Sequence, residues 1–237
     1  LEAAENIEAK ERIINASVKL FSQKGFDATR VNEIAEAANV NKALIYYYFK
    51  NKEDILDYLV QSFVNNIRSM AWDFIHTNII HMVNEGRLKI ESDRLSFVNK
   101  DAIECFLQNF HIYYEQVIDY AIQERLIIRI LMLESLKNSK HRNDLFQLLD
   151  ITNKEITSMD RSLGVKDITF NYTDDMVLFK FFFSVIPLVC FVAYYDDYKL
   201  ISSLSDKELR DSFLRAYQII ITSFVSGSDM LLQNKIQ

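Results

Sequence analysis

Glycine and proline are almost missing: four Gly and one Pro serve all 237 residues. An all-β chain needs a turn signal roughly every ten residues, so sandwiches and barrels are excluded. Four glycines also cannot supply the glycine-rich cradles of nucleotide-binding enzymes. Cysteine is nearly as scarce. Cys105 and Cys190 stand far apart in apolar stretches, which excludes a disulfide framework and a paired-cysteine zinc pattern, and no His-Glu-x-x-His occurs. No N-terminal stretch joins a basic segment to an apolar run and a small-residue cleavage site, so a reducing cytoplasm is the expected location. An excess of positive charge is missing too. The net charge of −6 excludes a surface coated in lysine and arginine for general nucleic-acid binding.

What is present is apolar: 49% of residues are hydrophobic, enough for a sizeable core and too many for a disordered chain. The fold class expected is all-α, with no cofactor, no metal and no catalytic constellation. Leu1 to Glu8 is rich in Ala and Glu, lacks a starting Met and carries no weight in this reading.

The N-terminal pattern is more specific. Ile13, Ala16, Ser17, Leu20 and Phe21 recur at helical spacing, and Gly25 follows where a left-handed cap is needed, so a first helix ends near Lys24. Thr29 is placed to cap a second helix whose buried face is Val31, Ile34, Ala35 and Ala38. That helix stops at Asn39-Val40-Asn41, where Asn39 takes a left-handed turn and Asn41 caps a third helix from Lys42. At 100° per residue, Ile45, Tyr48 and Phe49 share one arc, and Ala43, Tyr46, Tyr47 and Lys50 share the opposite one. Two short helices with a three-residue turn, the second exposing aromatics and lysine, match a helix-turn-helix. Between Asn39 and Lys52 there are three lysines and no acids, so local charge suits DNA despite the acidic total.

The stretch from Phe26 through Thr29-Arg30-Val31, Asn39-Val40-Asn41 and Tyr46-Tyr47-Tyr48-Phe49-Lys50-Asn51-Lys52 to Leu56 resembles the DNA-binding signature of the TetR family. The likeness runs from about Ile13 to Leu56, less than a quarter of the chain. It implies that Thr29, Arg30, Tyr46, Lys50 and Lys52 approach phosphates and that Lys42, Ala43, Leu44 and Tyr47 approach base edges. Phosphate contacts set register and base contacts set sequence. The family commonly has Gly at the position of Asn39, Gly or Pro near Ala43, Thr near Leu44 and His near Tyr47. Leu44 offers only apolar contact, for instance to a thymine methyl. The alternative is that Tyr46 and Tyr47 pack on a neighbouring helix while the lysines are merely solvated.

Two domains are expected: a helix-turn-helix DNA-binding domain over 9–55, and a larger helical ligand-binding and dimerisation domain over 56–237. In the latter, a long fourth helix runs from Lys52 to about His76, residues 77–99 form an irregular connection, and Asp101 to Lys137 is helical with one break. A further helix covers about Arg142 to Met159, and 160–172 reads as a loop. Met176 to Tyr195 carries a single charge, Lys180, and Pro187 should kink it. Its length admits a membrane span, but no basic loop flanks it and Asp196-Asp197 follows, so burial within an oligomer is preferred. A last helix opens with the capping box Ser205 to Glu208 and carries Leu209, Phe213, Ala216, Tyr217, Ile220 and Phe224 in one stripe.

The resemblance implies a homodimer through these last two helices, binding palindromic operator DNA, because two recognition helices then enter successive major grooves. It also implies a ligand pocket in the helical body, for which Trp72, Phe106, Phe110, Tyr113, Phe179 and Phe183 are the candidate lining. Asn109, His111 and Glu115 are its candidate polar contacts. An aromatic wall favours a flat or lipophilic small-molecule inducer. Three classes of function follow: a ligand-responsive repressor, an enzyme without a known motif, and a membrane-associated protein using 176–195. The first accounts for the N-terminal motif.

Overall fold

The computed structural model describes residues 2–90, 95–138, 140–148 and 174–232; for 2–6, 174–176 and 224–232 the backbone alone is considered. The chain is helical, as its composition requires. It divides into two compact units, one of residues 1–65 and 124–145, the other of 66–123 and 146–237.

In the first unit, α1 (Glu2–Lys24), α2 (Val31–Ala37), α3 (Lys42–Tyr48), the first half of α4 (Lys52–Phe74) and α7 (Arg125–Ser135) pack together. The periodic residues are the buried ones: Ile13, Phe21, Ile34, Ile45, Ile55 and Leu56 are almost wholly removed from solvent. Gly25 ends α1 at φ +88°, its N–H bonding to Phe21 O at 3.0 Å. The turn after α2 is a left-handed cap with two backbone bonds, Val40 N to Ala35 O at 3.0 Å and Asn39 N to Glu36 O at 3.1 Å. Asn39 sits at φ +52°, the conformation expected of it, and Asn41 Oδ1 then accepts from Leu44 N at 2.8 Å to start α3.

The second unit holds the helical body. A π-turn (Ile75–Ile79) joins α4 to α5 (Ile80–Asn84). Thr77 and Asn78 donate side-chain bonds back to Asp73 O and Phe74 O at this turn. The helical path therefore runs eight residues beyond the expected end at His76. Gly86, at φ +70°, stops it with the same double cap. A two-stranded antiparallel hairpin follows in place of an irregular connection, β1 (Leu88–Ile90) pairing with β2 (Leu95–Phe97) through Leu88 opposite Phe97. Leu88 drops into a cluster with Ile75, Ile79, Met82, Ala102 and Phe106, which explains why so short a hairpin is retained.

Helix α6 (Lys100–Gln123) leads to α7 after a break at Glu124, where one break was expected. Lys140–Phe146 is a 3-10 segment; the rest of the expected helix over 142–159, from 149 onward, and the expected loop over 160–172 lie outside the described residues. The apolar stretch is not one helix. It divides into α8 (Asp174–Phe179), a π-turn (Lys180–Val185), α9 (Ile186–Ala193) and α10 (Tyr195–Ile201). Pro187 lacks the N–H that would serve Phe183 O, and the wide turn just ahead of it, with Ile186 N reaching back to Phe181 O, shifts the helical register there. The sharp bend, 62°, comes at Tyr194 instead. No single helix among the described residues is long and apolar enough to cross a membrane. The stretch is also not buried all round: Leu178, Phe182 and Phe183 are more than half exposed in the single chain. The last helix, α11 (Asp206–Leu232), starts with the expected box, Ser205 N donating to Glu208 Oε2 at 2.9 Å and Glu208 N to Ser205 Oγ at 3.3 Å.

Candidate DNA-reading surface

Helix α3 is seven residues long, so tertiary contacts must hold it. Ile45 is 1% exposed and anchors it, and Phe49 is buried just past its end. On the opposite arc Tyr47 is 73% exposed and Tyr46 49%, with Ala43 and Lys50 exposed beside them. The structure thus brings the four residues of the predicted outer arc together on an open surface. Lys42 is exposed, its Nζ 5.9 Å from the Tyr46 ring centre, and Leu44 is half-buried. Tyr47 meets Tyr48 edge to face at 5.0 Å, which restricts its rotamers.

Thr29 and Lys52 are placed differently from a free phosphate-seeking side chain. Thr29 is 1% exposed and donates its hydroxyl to Gly25 O at 2.9 Å, so it does not cap α2. That work falls to Glu33, whose carboxylate accepts from Arg30 N at 2.7 Å and from Lys24 Nζ. The Lys24 bond, then the Arg30 amide, hold the Glu33 carboxyl below its ordinary range. Lys52 Nζ donates to Phe26 O at 2.6 Å and Thr29 O at 2.9 Å and lies 4.3 Å from the Phe26 ring centre. It fastens the start of α4 to the α1–α2 turn. Arg30 remains exposed. The Asn51 cap on α4, with Oδ1 accepting from Asp54 N at 2.8 Å, was missed in the sequence although Asn-x-x-Asp was its signal.

A second support comes from α7. Glu134 is 2% exposed and accepts from Lys137 Nζ at 2.6 Å, and Lys137 also reaches Asp27 in the α1–α2 turn at 3.0 Å. Glu134, then Asp27, hold the Lys137 ammonium above the usual lysine range. His141, buried against Phe26 with ring centres 6.1 Å apart, bonds Asp144 at 2.7 Å. None of these groups was singled out in the sequence; the Lys137–Asp27 pair spans 110 residues, a separation that leaves no periodic trace. Removing Lys137 strands a buried carboxylate. Lys137→Met should cost about 2 kcal/mol in urea unfolding, below the roughly 3 to 5 of a fully buried pair because Lys137 is partly solvated. The double variant Glu134→Leu/Lys137→Met should recover most of that loss; no recovery would show that the pair is not the cause.

The expected pocket residues all lie in the second unit. Trp72 packs on His76 at 4.2 Å; Phe106, Phe110 and Tyr113 gather around Phe74; Phe179 stacks on Phe183 at 5.4 Å. Phe110 borders a cleft between α6 and α11, with His111 beside it, while Asn109 Nδ2 reaches back to Cys105 Sγ. Glu115 lies 3.6 Å from His111.

Residues 13–59 match the model of bacterial regulatory proteins of the tetR family. Residues 13–59 are thus a TetR-family DNA-binding module. The chain is 35% identical over 129 residues to YttP, a probable HTH-type transcriptional regulator of Bacillus subtilis, covering 54% of this chain and 60% of YttP. It is 33% identical over 86 residues to IcaR of Staphylococcus aureus, the negative transcriptional regulator of the biofilm operon icaADBC, covering 36% of this chain and 41% of IcaR. The chain thus spans between two-fifths and three-fifths of the curated relatives it matches. Among solved structures, FadR of Bacillus subtilis, determined with stearoyl-CoA, superposes with a TM-score of 0.54 at 18% identity, over 92% of this chain and 98% of that one. At that identity the likeness establishes the TetR fold alone.

Proposed function

We propose that this TetR-family chain is a transcriptional repressor that binds a palindromic operator as a homodimer and releases it when the helical body takes up a small, uncharged or lipophilic ligand. One observation carries the DNA-binding part: α3 is anchored by a buried Ile45 and presents Tyr46, Tyr47 and Lys50 outward. An exposed tyrosine pair has no packing reason to be there. In this reading Arg30, Tyr46 and Lys50 meet phosphates, and Lys42, Ala43, Leu44 and Tyr47 meet base edges. Thr29 and Lys52 serve the same surface through the turn they hold. The DNA-reading domain corresponds to 9–55 and the ligand and dimer functions to 56–237, in the cytoplasm. IcaR, a negative regulator, supports repression as the outcome, and FadR with its bound stearoyl-CoA supports a lipophilic effector.

The dimer follows from geometry. One seven-residue helix reads only a few base pairs, whereas a two-fold pair reads two half-sites about 34 to 36 Å apart. The exposed apolar residues of α8 to α11, including Phe182, Tyr198 and Ile219, supply the surface for it. A ligand that changes the spacing of the reading helices lowers DNA affinity, and DNA lowers ligand affinity by the same factor.

The test is recovery of genomic DNA by the purified protein, sequencing of what is enriched, and gel shift of the enriched site. A palindrome is expected. Salt-sensitive binding without sequence preference would overturn the reading. On the recovered site, Lys50→Ala should reduce the salt slope by about one per half-site, or about two for the dimer, and leave thermal melting unchanged.

A further inference from the structure

The corner where α3 turns into α4 is held by a contact that helical spacing does not reveal. Helix α3 closes at Phe49, whose N–H bonds to Ile45 O at 2.9 Å and whose ring is 3% exposed. Tyr58, on the second turn of α4, meets that ring edge to face, with centres 5.7 Å apart and planes at 70°. Lys10 of α1 completes the group. Its Nζ lies 4.3 Å from the Tyr58 ring centre and 5.7 Å from that of Phe49. Among the described residues no carboxylate pairs with this ammonium. Lys10 is half-buried, at the edge of the α1 face that buries Ala9 and Ile13.

An ammonium beside an aromatic ring is drawn to the negative face of the ring, while the carbon stem packs as an apolar side chain would. A lysine without such a task extends into water and keeps its rotamer freedom. Lys10 gives that freedom up to sit on two rings, one closing α3 and the other belonging to α4. The corner matters because α3 is only seven residues long and does not hold its own axis. Ile45 fixes its depth and Phe49 fixes its end. Any swing about those anchors displaces Tyr46 and Tyr47 together, since both lie on the opposite arc. Contacts to base edges weaken steeply with misalignment. A corner fixed beforehand removes ordering that DNA would otherwise have to impose on binding.

We propose that Lys10 is a positioning residue for DNA reading: its ammonium, seated on the Tyr58 and Phe49 rings, fixes the α3–α4 corner and with it the angle at which Tyr46 and Tyr47 meet the operator. The inference rests on the DNA-binding reading given above and adds to it a residue of α1 that acts through the two rings. Binding that ignores base sequence needs no such precision, so the clasp acts on the preference for operator over unrelated DNA.

Lys10→Met keeps the stem and removes the charge. Gel shifts with the full chain should show operator affinity reduced about tenfold, a factor of about three per half-site for a half-buried cation–π contact. Affinity for unrelated DNA and the salt slope should stay at the parent's values, and melting should fall by no more than about 3 °C. Lys10→Arg should restore the operator preference, because a guanidinium also stacks on aromatic faces. Tyr58→Leu should lower it, and the double variant Lys10→Met/Tyr58→Leu should bind no more weakly than Tyr58→Leu alone. Operator affinity equal to the parent's in Lys10→Met overturns the proposal, as do Lys10→Arg binding no better than Lys10→Met and losses that add in the double variant. A salt slope reduced by about one per half-site, with unrelated DNA weakened equally, also overturns it, because Lys10 is then a phosphate contact. A parent chain without sequence preference sinks the DNA-reading function and this role with it; a parent chain with that preference and an indifferent Lys10→Met sinks the positioning role alone.

Discussion

Replacing Tyr47 with alanine should lower affinity for the recovered operator about 100-fold while leaving thermal melting within a degree or so. The ring is 73% exposed, so its loss opens no cavity and strands no polar group. Each lost base-edge contact is worth about 1 to 3 kcal/mol, and a dimer loses two. The edge-to-face contact with Tyr48 already fixes the ring in the free protein, so little ordering cost is recovered when it goes. Tyr47→Phe separates the two uses of the side chain: retained affinity means that the ring face does the reading, and lost affinity means that the hydroxyl does. If Tyr47→Ala binds as tightly as the parent chain, the outer arc of α3 does not face DNA and the assignment of base-edge residues fails with it.

Lys52→Met should behave in the opposite way, destabilising the first unit by about 2 to 3 kcal/mol in urea unfolding. Its ammonium serves Phe26 O and Thr29 O and covers the Phe26 ring. Bonds from a charged donor contribute about 1.5 to 3 kcal/mol each, and the two carbonyls regain water only in part. DNA affinity should fall as well, because the turn carrying Arg30 loosens, but the salt slope should stay near that of the parent chain. Lys50→Ala provides the contrast, with slope changed and stability kept. A Lys52→Met chain of unaltered stability and reduced salt slope would return Lys52 to the phosphate-contacting role that the family resemblance implies.

These two lysines show where residue pattern stops being informative. Both follow the Tyr-x-Tyr-Phe run, both are basic, and nothing in spacing distinguishes them. Lys50 stands exposed beyond the end of α3, whereas Lys52 opens α4 and meets a turn more than twenty residues earlier in the chain. The same holds for Thr29, a sound N-cap candidate by composition, whose hydroxyl turns back to Gly25 O because Glu33 and Arg30 have taken over the cap. In the helical body, Phe106, Phe110 and Tyr113 gather around Phe74, a ring that spacing did not single out. Helical spacing reports which residues share a face of one helix; it carries no information about which faces of different helices meet.

Local chemistry along the chain was enough for the helical class, the first three helices, the left-handed Asn39, the Asn41 cap, the outward arc of α3 and the Ser205–Glu208 box. All of these are decided within about five residues, by side-chain periodicity, backbone sterics and local hydrogen bonds. Long-range packing settled the rest: the hairpin at 88–97, the bend at Tyr194 and the Glu134–Lys137–Asp27 support. Each depends on groups brought together across long separations, where packing and desolvation, which act on the assembled volume, outweigh local preference.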